Sequence, residues 1–463
     1  MVVYKYAAFL VYFFTGLYSF PARAQQNVYS LAELSDSALH HMPLLLQKQA
    51  LADAARSGIK DARHSFLPSA LLSDELTLGT DNSLPGSYLT YGIIPSTSSS
   101  SRPTNEYQSA LGNIAIFQSQ YELLDFGLRK AMVDKARAYS DFAQADLEKQ
   151  KYLLQWQVGK LYFEILKNQF QLSIEKENVS RYESIYRVIK SLTNSGIKAG
   201  ADSSLALAEL SKSRITHNQV DGQIQQLLQQ LSYLTGIEKN SLMIETTDSN
   251  RDSLRIRQMP GYAAGNSNPV LDYFQKEEQF YKQTETLVGK SYLPKIFISA
   301  TSWARGSSID YNGDFQSLGE GLGYQRFNYL IGATFVYDLF NIVHRKDKLE
   351  ISHYQTLASN YDLQQQELSM QNINNKAEEA IRTALDNLLE IPIQIRSSEE
   401  TYNQKIAQYR AGIINLIDLT NASFVLYRAQ SDYVQTISDW LLANLDKSAA
   451  NGGLNTFIQS IKK

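Results

Sequence analysis

The 463-residue chain contains no cysteine, which excludes disulfides, thiolate metal sites and an acylated N-terminal cysteine. Proline is scarce at 10 residues, so helices can run long without interruption. Basic charge is not in excess: 44 Lys and Arg against 47 Asp and Glu leave a net charge of −3, with no field that would recruit nucleic acid. Beyond the first two dozen residues no apolar run approaches the roughly 20 residues that a membrane-spanning helix needs. Any passage through a bilayer must therefore use strands.

The exception at the N-terminus reads as a secretory leader. Lys5 precedes an apolar, aromatic-rich stretch from Ala7 to Phe20, and Ala22-Arg23-Ala24 has the small-x-small pattern that precedes cleavage. Cleavage would remove two positive charges, Lys5 and Arg23, and shift the net charge from −3 to −5.

The rest of the chain is self-similar. Ser65-Phe66-Leu67-Pro68 matches Ser291-Tyr292-Leu293-Pro294, Leu124-Asp125-Phe126 matches Tyr337-Asp338-Leu339, and Gly196 with Asp202 matches Gly412 with Asp418 at identical spacing. Three anchors in one order indicate a duplicated unit. The division expected is a leader at 1–24, a first repeat at 25–240, a linker at 241–265, a second repeat at 266–450 and an unassigned tail at 451–463. Each repeat reads helix, strand, loop, strand, long helix, turn, long helix. The expected elements are Leu31–His64, Leu71–Leu78, Gly112–Tyr121, Leu128–Thr193 and Asp202–Thr235, then Pro269–Lys290, Lys295–Trp303, Tyr329–Tyr337, His344–Arg410 and Leu416–Lys447.

In the long helices Leu147, Leu154 and Leu161 recur every seven residues, interleaved with Val158, Ile165, Leu172 and Val179. Ile224 with Leu231, and Leu227 with Leu234, repeat the spacing, so these seams should bury against neighbouring helices. The strands alternate instead. Ile331, Ala333, Phe335 and Tyr337 form one apolar side, Ile296, Ile298 and Ala300 another, and Ile114 and Ile116 with Gln118 are expected to do the same on their strand. This is the pattern of lipid-facing barrel strands. Tyr107, Tyr324, Phe327 and Tyr329 fall where one interface girdle would lie, and Phe66, Tyr121, Phe126, Tyr292, Tyr337 and Phe340 where the other would. Two polar loops, Gly79–Glu106 and Arg305–Gly323, join the strands. Single-chain barrels need at least eight strands, so the four here must be pooled between copies.

With these features together, the chain resembles the TolC family of outer-membrane efflux proteins over essentially its whole length after the leader. The resemblance rests on the leader, the repeat, the Leu-Pro entries at Pro68 and Pro294, and the Gly-x5-Asp turns. It implies a mixed fold, a membrane β-barrel continued by an α-helical barrel, in a homotrimer pooling four strands per chain. It also implies an outer-membrane location with a periplasmic helical extension, contact with outer-membrane lipid, and partnership with a periplasmic adaptor protein and an inner-membrane transporter. The function implied is the passive exit duct of a tripartite efflux pump.

At the two helical turns, Gly196 and Gly412 would supply the positive φ that ends one helix, and Asp202 and Asp418 would cap the next. That structural role accounts for them without any function. By resemblance the turns form a closed periplasmic gate, in which Asp418 matches a ring aspartate, Tyr409 a tyrosine three residues before the second glycine, and Asp202 the aspartate of the first turn. Asn421 stands where a second ring carboxylate is familiar, and Ile414 where an arginine partner would be. Closure is therefore expected to rely on packing and on hydrogen bonds of Tyr409, with Arg410 as an alternative tether.

No catalytic residue, cofactor or metal site is expected. His40 and His41 are adjacent and do not share a helical face. Gly319, Gly321 and Gly323 lie in a polar loop that leads into a strand, with no following helix to hold a phosphate. A type I protein secretion duct is the alternative within transport, and a soluble periplasmic coiled-coil scaffold the alternative outside it.

Overall fold

A computed structural model describes residues 28–82, 101–244, 265 and 267–461. The leader, most of the Gly79–Glu106 loop and most of the 241–265 linker lie outside these residues.

The chain opens with strand β1 (Val28–Tyr29) and helix α1 (Leu31–His41). A reciprocal cap starts the helix: the Ser30 hydroxyl accepts from the Glu33 N–H at 3.3 Å, and the Glu33 carboxyl accepts from the Ser30 N–H at 2.8 Å. The single helix expected over Leu31–His64 is instead broken. Met42 is extended, with φ −69° and ψ 116°, because the residue before a proline disfavours helical geometry, and α2 (Pro43–His64) starts with proline at its first position.

Then follow β2 (Ser69–Gly79), β3 (Ala110–Leu124), α3 (Leu128–Asn194) and α4 (Gly200–Thr235). After β4 (Met243–Ile244) the order recurs as α5 (Pro269–Ser291), β5 (Lys295–Ser307), β6 (Arg326–Val336), α6 (Asn341–Arg410) and α7 (Leu416–Ala450). Pro68 and Pro294 each immediately precede a strand. The tail is not irregular: Gly452 turns the chain with φ 74°, and α8 (Leu454–Ser460) buries Leu454, Phe457 and Ile458.

Two compact units emerge. One comprises 52–142 and 276–360, the other the remainder. In the first unit the strands form one antiparallel sheet in the order β2-β3-β5-β6, so that β2 and β6 each have one unpaired edge among the described residues. The register decides which residues share a face. Ile298 pairs with Ala333, Ala300 with Ile331 and Ile296 with Phe335, and the same face carries Phe117, Tyr121 and Leu72. Ile116 instead pairs with Trp303, and Ile114 lies between Glu75 and Arg305. The expected apolar side of β3 is thus corrected: Ile114, Ile116 and Gln118 belong to the polar face, and Ala115 and Phe117 to the apolar one. A one-residue change of parity moves every side chain to the other face, and only pairing with β2 and β5 sets that parity.

The second unit is helical. The expected seam is buried: Leu147, Leu154, Leu161, Val158 and Ile165 pack with Leu227, Leu231 and Leu234, and with Ile437, Leu441 and Leu445 of α7. Each large aliphatic side chain fully removed from water contributes roughly 1.5–3 kcal/mol before entropy is counted. A separate cluster surrounds the α3–α4 and α6–α7 turns, built from Tyr182, Ile185, Ile189, Leu210, Tyr409 and Leu419 among others. Among the described residues no helix is long and apolar enough to cross a membrane.

Candidate functional site

The two turns are built alike. At the first, the Ile197 N–H reaches the Leu192 carbonyl and the Gly196 N–H that of Thr193, both at 3.0 Å; at the second, Ile413 and Gly412 bond Gln408 and Tyr409 in the same way, again at 3.0 Å. This doubly bonded helix end requires a left-handed residue, and Gly196 and Gly412 both have φ 74°. An added Cβ would meet nothing within 4 Å at either.

The aspartates do not cap the following helices. Asn415 occupies the cap of α7 and its side-chain oxygen accepts from the Asp418 N–H at 2.9 Å, whereas Ala199 begins α4 without a side-chain cap. Asp202 and Asp418 are each the third residue of their helix. There a carboxylate faces the positive end of the helix dipole, so the placement is still favourable although neither aspartate supplies the cap. Asp418 and Asn421 are exposed on one side of α7, a turn apart, and Asp202 is half-buried.

Tyr409 lies at the junction of the two turns. It is 2% exposed, and Lys198 of the first turn sits over its ring at 5.4 Å. Its hydroxyl has no hydrogen-bond partner among the described residues. Burial, with a smaller contribution from the nearby Asp202 carboxyl, raises its pKa above the ordinary tyrosine value. The hydrogen bonds expected of Tyr409 are therefore not made among the described residues. Arg410 is exposed, and Ile414 packs against the cluster that holds Tyr409.

Between this turn cluster and the larger core lies a polar seam. Continuing the heptad of Leu147, Leu154 and Leu161 gives Asn168, Glu175, Tyr182 and Ile189, all of them buried. Glu175 is 0% exposed. One of its oxygens accepts from Gln171 and from the Tyr427 hydroxyl, both at 2.7 Å, while the other has no partner among the described residues. Burial and this hydrogen bond push the Tyr427 pKa up to about 12. Nearby, Arg181 donates to Gln430 at 3.2 Å and to Asn178 at 3.4 Å. A cavity of about 470 Å³ adjoins the seam, lined by Phe170, Ile174, Pro392, Ile395 and Val434 among others. Pro392 lies inside α6 and cannot donate to the carbonyl of Leu388. Polar residues at seam positions trade stability for register, and here Asn168 and Glu175 take two successive buried positions. Asn168 and Glu175 occupy heptad positions that the periodicity already marks, and they are the site residues that pattern reading missed.

Nothing in this geometry resembles a catalytic arrangement: the exposed carboxylates stand on helix faces, and among the described residues no group of three or more His, Asp and Glu is placed to hold a metal ion. What the arrangement offers is two matched turns, locked to each other by packing and carrying acidic side chains.

Comparison with known proteins bears out the resemblance read from the sequence. The model of the outer membrane efflux protein family matches residues 34–237. No curated protein sequence matches. Among solved structures, the outer membrane protein VceC from Vibrio cholerae aligns with a TM-score of 0.73 at 15% identity, covering 91% of this chain and 96% of that one. CusC aligns with a TM-score of 0.74 at 16% identity over 92% of each chain, and the CmeC outer membrane channel of Campylobacter jejuni with 0.71 at 15% identity over 92% and 86%. At these identities the likeness is one of fold.

Proposed function

With residues 34–237 matching the outer membrane efflux protein family and the chain sharing the fold of outer-membrane channels, we propose that this protein is a passive efflux channel of the bacterial outer membrane. Three copies pool their sheets into one barrel, and the helices continue the path into the periplasm. There they engage an adaptor protein and an inner-membrane transporter, which supplies the energy.

The observation that carries this reading is the four-stranded sheet with two unpaired edges and one apolar face. Unpaired strand edges are not tolerated in hydrocarbon, so a sheet that exposes Leu72, Phe117, Ile331 and Phe335 on one side needs closure by further copies of itself. The opposite face, with Glu75, Gln118, Thr301 and Arg305, suits a water-filled lumen. The gate falls to the α3–α4 and α6–α7 turns, where Asp202, Tyr409, Asp418 and Asn421 gather around Gly196 and Gly412. With Asn421 in place of a second acid, each copy brings one exposed carboxylate, Asp418, to a constriction on the symmetry axis, and cation attraction there is correspondingly modest.

The test is to extract membranes of expressing cells with detergent, measure the mass of the purified species by light scattering and record from planar bilayers. A detergent-dependent trimer that conducts ions is expected. A water-soluble species without conductance refutes the channel.

A further inference from the structure

We propose that the junction between the sheet and its helices holds an anionic phospholipid headgroup, in a groove between α5 and α6 flanked by Lys290 and Arg345. The groove, of about 490 Å³, is lined by Lys282, Glu285, Thr286, Gly289, Lys290 and Arg345, and also by Leu293 and Leu349. The inference rests on the outer-membrane reading, because it takes the apolar sheet face to lie in hydrocarbon.

Three observations converge on it. First, the chain leaving β6 remains apolar and exposed where a water-facing turn would be polar: Leu339 is 76% exposed, Phe340 75%, Ile342 67% and Val343 61%. These residues continue the exposed Phe335 of the sheet. Second, the very next turn of α6 reverses character, with Arg345, Lys346 and Lys348 exposed and Asp347 the one acid among them. The axial rise from Ile342 to this turn is roughly 5–9 Å at 1.5 Å per residue. The headgroup layer of one leaflet is about as thick, roughly 5–8 Å. Apolar residues followed within that distance by cations reproduce the depth profile of a bilayer surface.

Third, the groove's charge balance leaves cations over. Lys282 is held by Glu278 at 2.8 Å, and Glu285, the only acid lining the groove among the described residues, accepts from Thr356 at 2.9 Å and faces His353 at 3.5 Å. Lys290 and Arg345 make no ion pair among the described residues. The Nε–H of Arg345 donates to the Gly289 carbonyl at 3.1 Å, which ties the guanidinium to the end of α5, beside Lys290. Two cations brought together from two helices, at the edge of an apolar band, fit a phosphate that carries acyl chains. A phospholipid whose only charge is its phosphate, such as phosphatidylglycerol, satisfies the cations, whereas a zwitterionic choline headgroup sets a third cation against them.

The full-length protein in detergent, given equal amounts of phosphatidylglycerol and phosphatidylcholine with the same acyl chains, is to be examined by native mass spectrometry for the lipid it retains. Preferential retention of phosphatidylglycerol is expected, and Lys290→Gln with Arg345→Gln should weaken it about tenfold or more, two charges close to the phosphate having been removed. Lys212→Gln with Arg428→Gln, which removes the same charge from exposed sites of the helical unit, should leave it intact. Helicity by circular dichroism verifies folding, and Lys290→Gln alone serves if the double variant fails to fold. Equal retention of the two lipids, an unchanged double variant, or full displacement of the lipid by millimolar inorganic phosphate would each overturn the site. A protein that needs no detergent and does not float with vesicles defeats the outer-membrane reading instead, so the two failures are told apart.

Discussion

Removing the Tyr427 hydroxyl tests the polar seam directly. Tyr427 donates to a Glu175 oxygen at 2.7 Å, and Glu175 is fully buried with its other oxygen already unpartnered. In Tyr427→Phe the carboxyl keeps only the Gln171 amide, and an acceptor deprived of its partner in a dry site costs about 1–3 kcal/mol. Because the cost falls on one stretch of the α3–α7 contact, it should appear as local opening before global unfolding. Hydrogen exchange followed by mass spectrometry on peptides spanning 168–181 and 427–434 should accelerate roughly 5- to 150-fold, while peptides around Leu147–Val158 stay protected. Combining Tyr427→Phe with Glu175→Leu removes both partners and should recover most of the loss, since Gln171 retains Ser431 at 3.0 Å. The pH dependence has a definite sign. Folding raises the Tyr427 pKa from its ordinary value near 10 to about 12, so its contribution is complete below pH 10 and is lost as pH climbs towards 12. Tyr427→Phe should lack that alkaline loss. Unchanged exchange in Tyr427→Phe, or no recovery in the double variant, would refute the reasoning.

Three further outcomes are expected. On the sheet, Phe117→Arg should impair trimer recovery from membranes by placing a charge on the lipid face at about 2–4 kcal/mol, whereas Ile116→Arg should assemble and change single-channel conductance; the reverse result would invert the assignment of faces. Gly196→Ala and Gly412→Ala should each cost about 1–2 kcal/mol of local stability at the turns, from the left-handed backbone alone. Gly452→Ala has the same φ of 74° but would also bring a Cβ within 2.4 Å of the Ser267 carbonyl oxygen, so its thermal unfolding should shift further than that of either turn variant. Asp418→Ala should weaken block of the conductance by divalent cations added on the helical side, and unaltered block would remove Asp418 from the constriction.

Much of the architecture could be read before folding because its periodicities are strong. Leu147, Leu154 and Leu161 mark a helix seam that the structure buries, and the boundaries of α3, α4, α5 and α6 fall within a few residues of those expected. The break at Pro43 was missed, although proline constrains the residue before it. The capping aspartates were misassigned because a helix start is set by backbone geometry, and at the second turn that geometry selects Asn415, three residues before Asp418.

Composition and pattern alone determined that this chain has no disulfide or thiolate chemistry, that its helices are long and seamed, and that the order of helices and strands in its first half recurs in its second. These are local properties, fixed by residue type and spacing. The tertiary structure decided the rest. The face to which Ile116 or Phe117 points depends on hydrogen bonds to strands far away in sequence, and β3 carries apolar residues on both sides, so alternation could not choose. Whether buried Glu175 is satisfied depends on Tyr427, 252 residues away, and whether Tyr409 is paired depends on what surrounds a hydroxyl buried between two turns. Polar satisfaction and register are relations between distant segments, and they come into being only when the chain closes on itself.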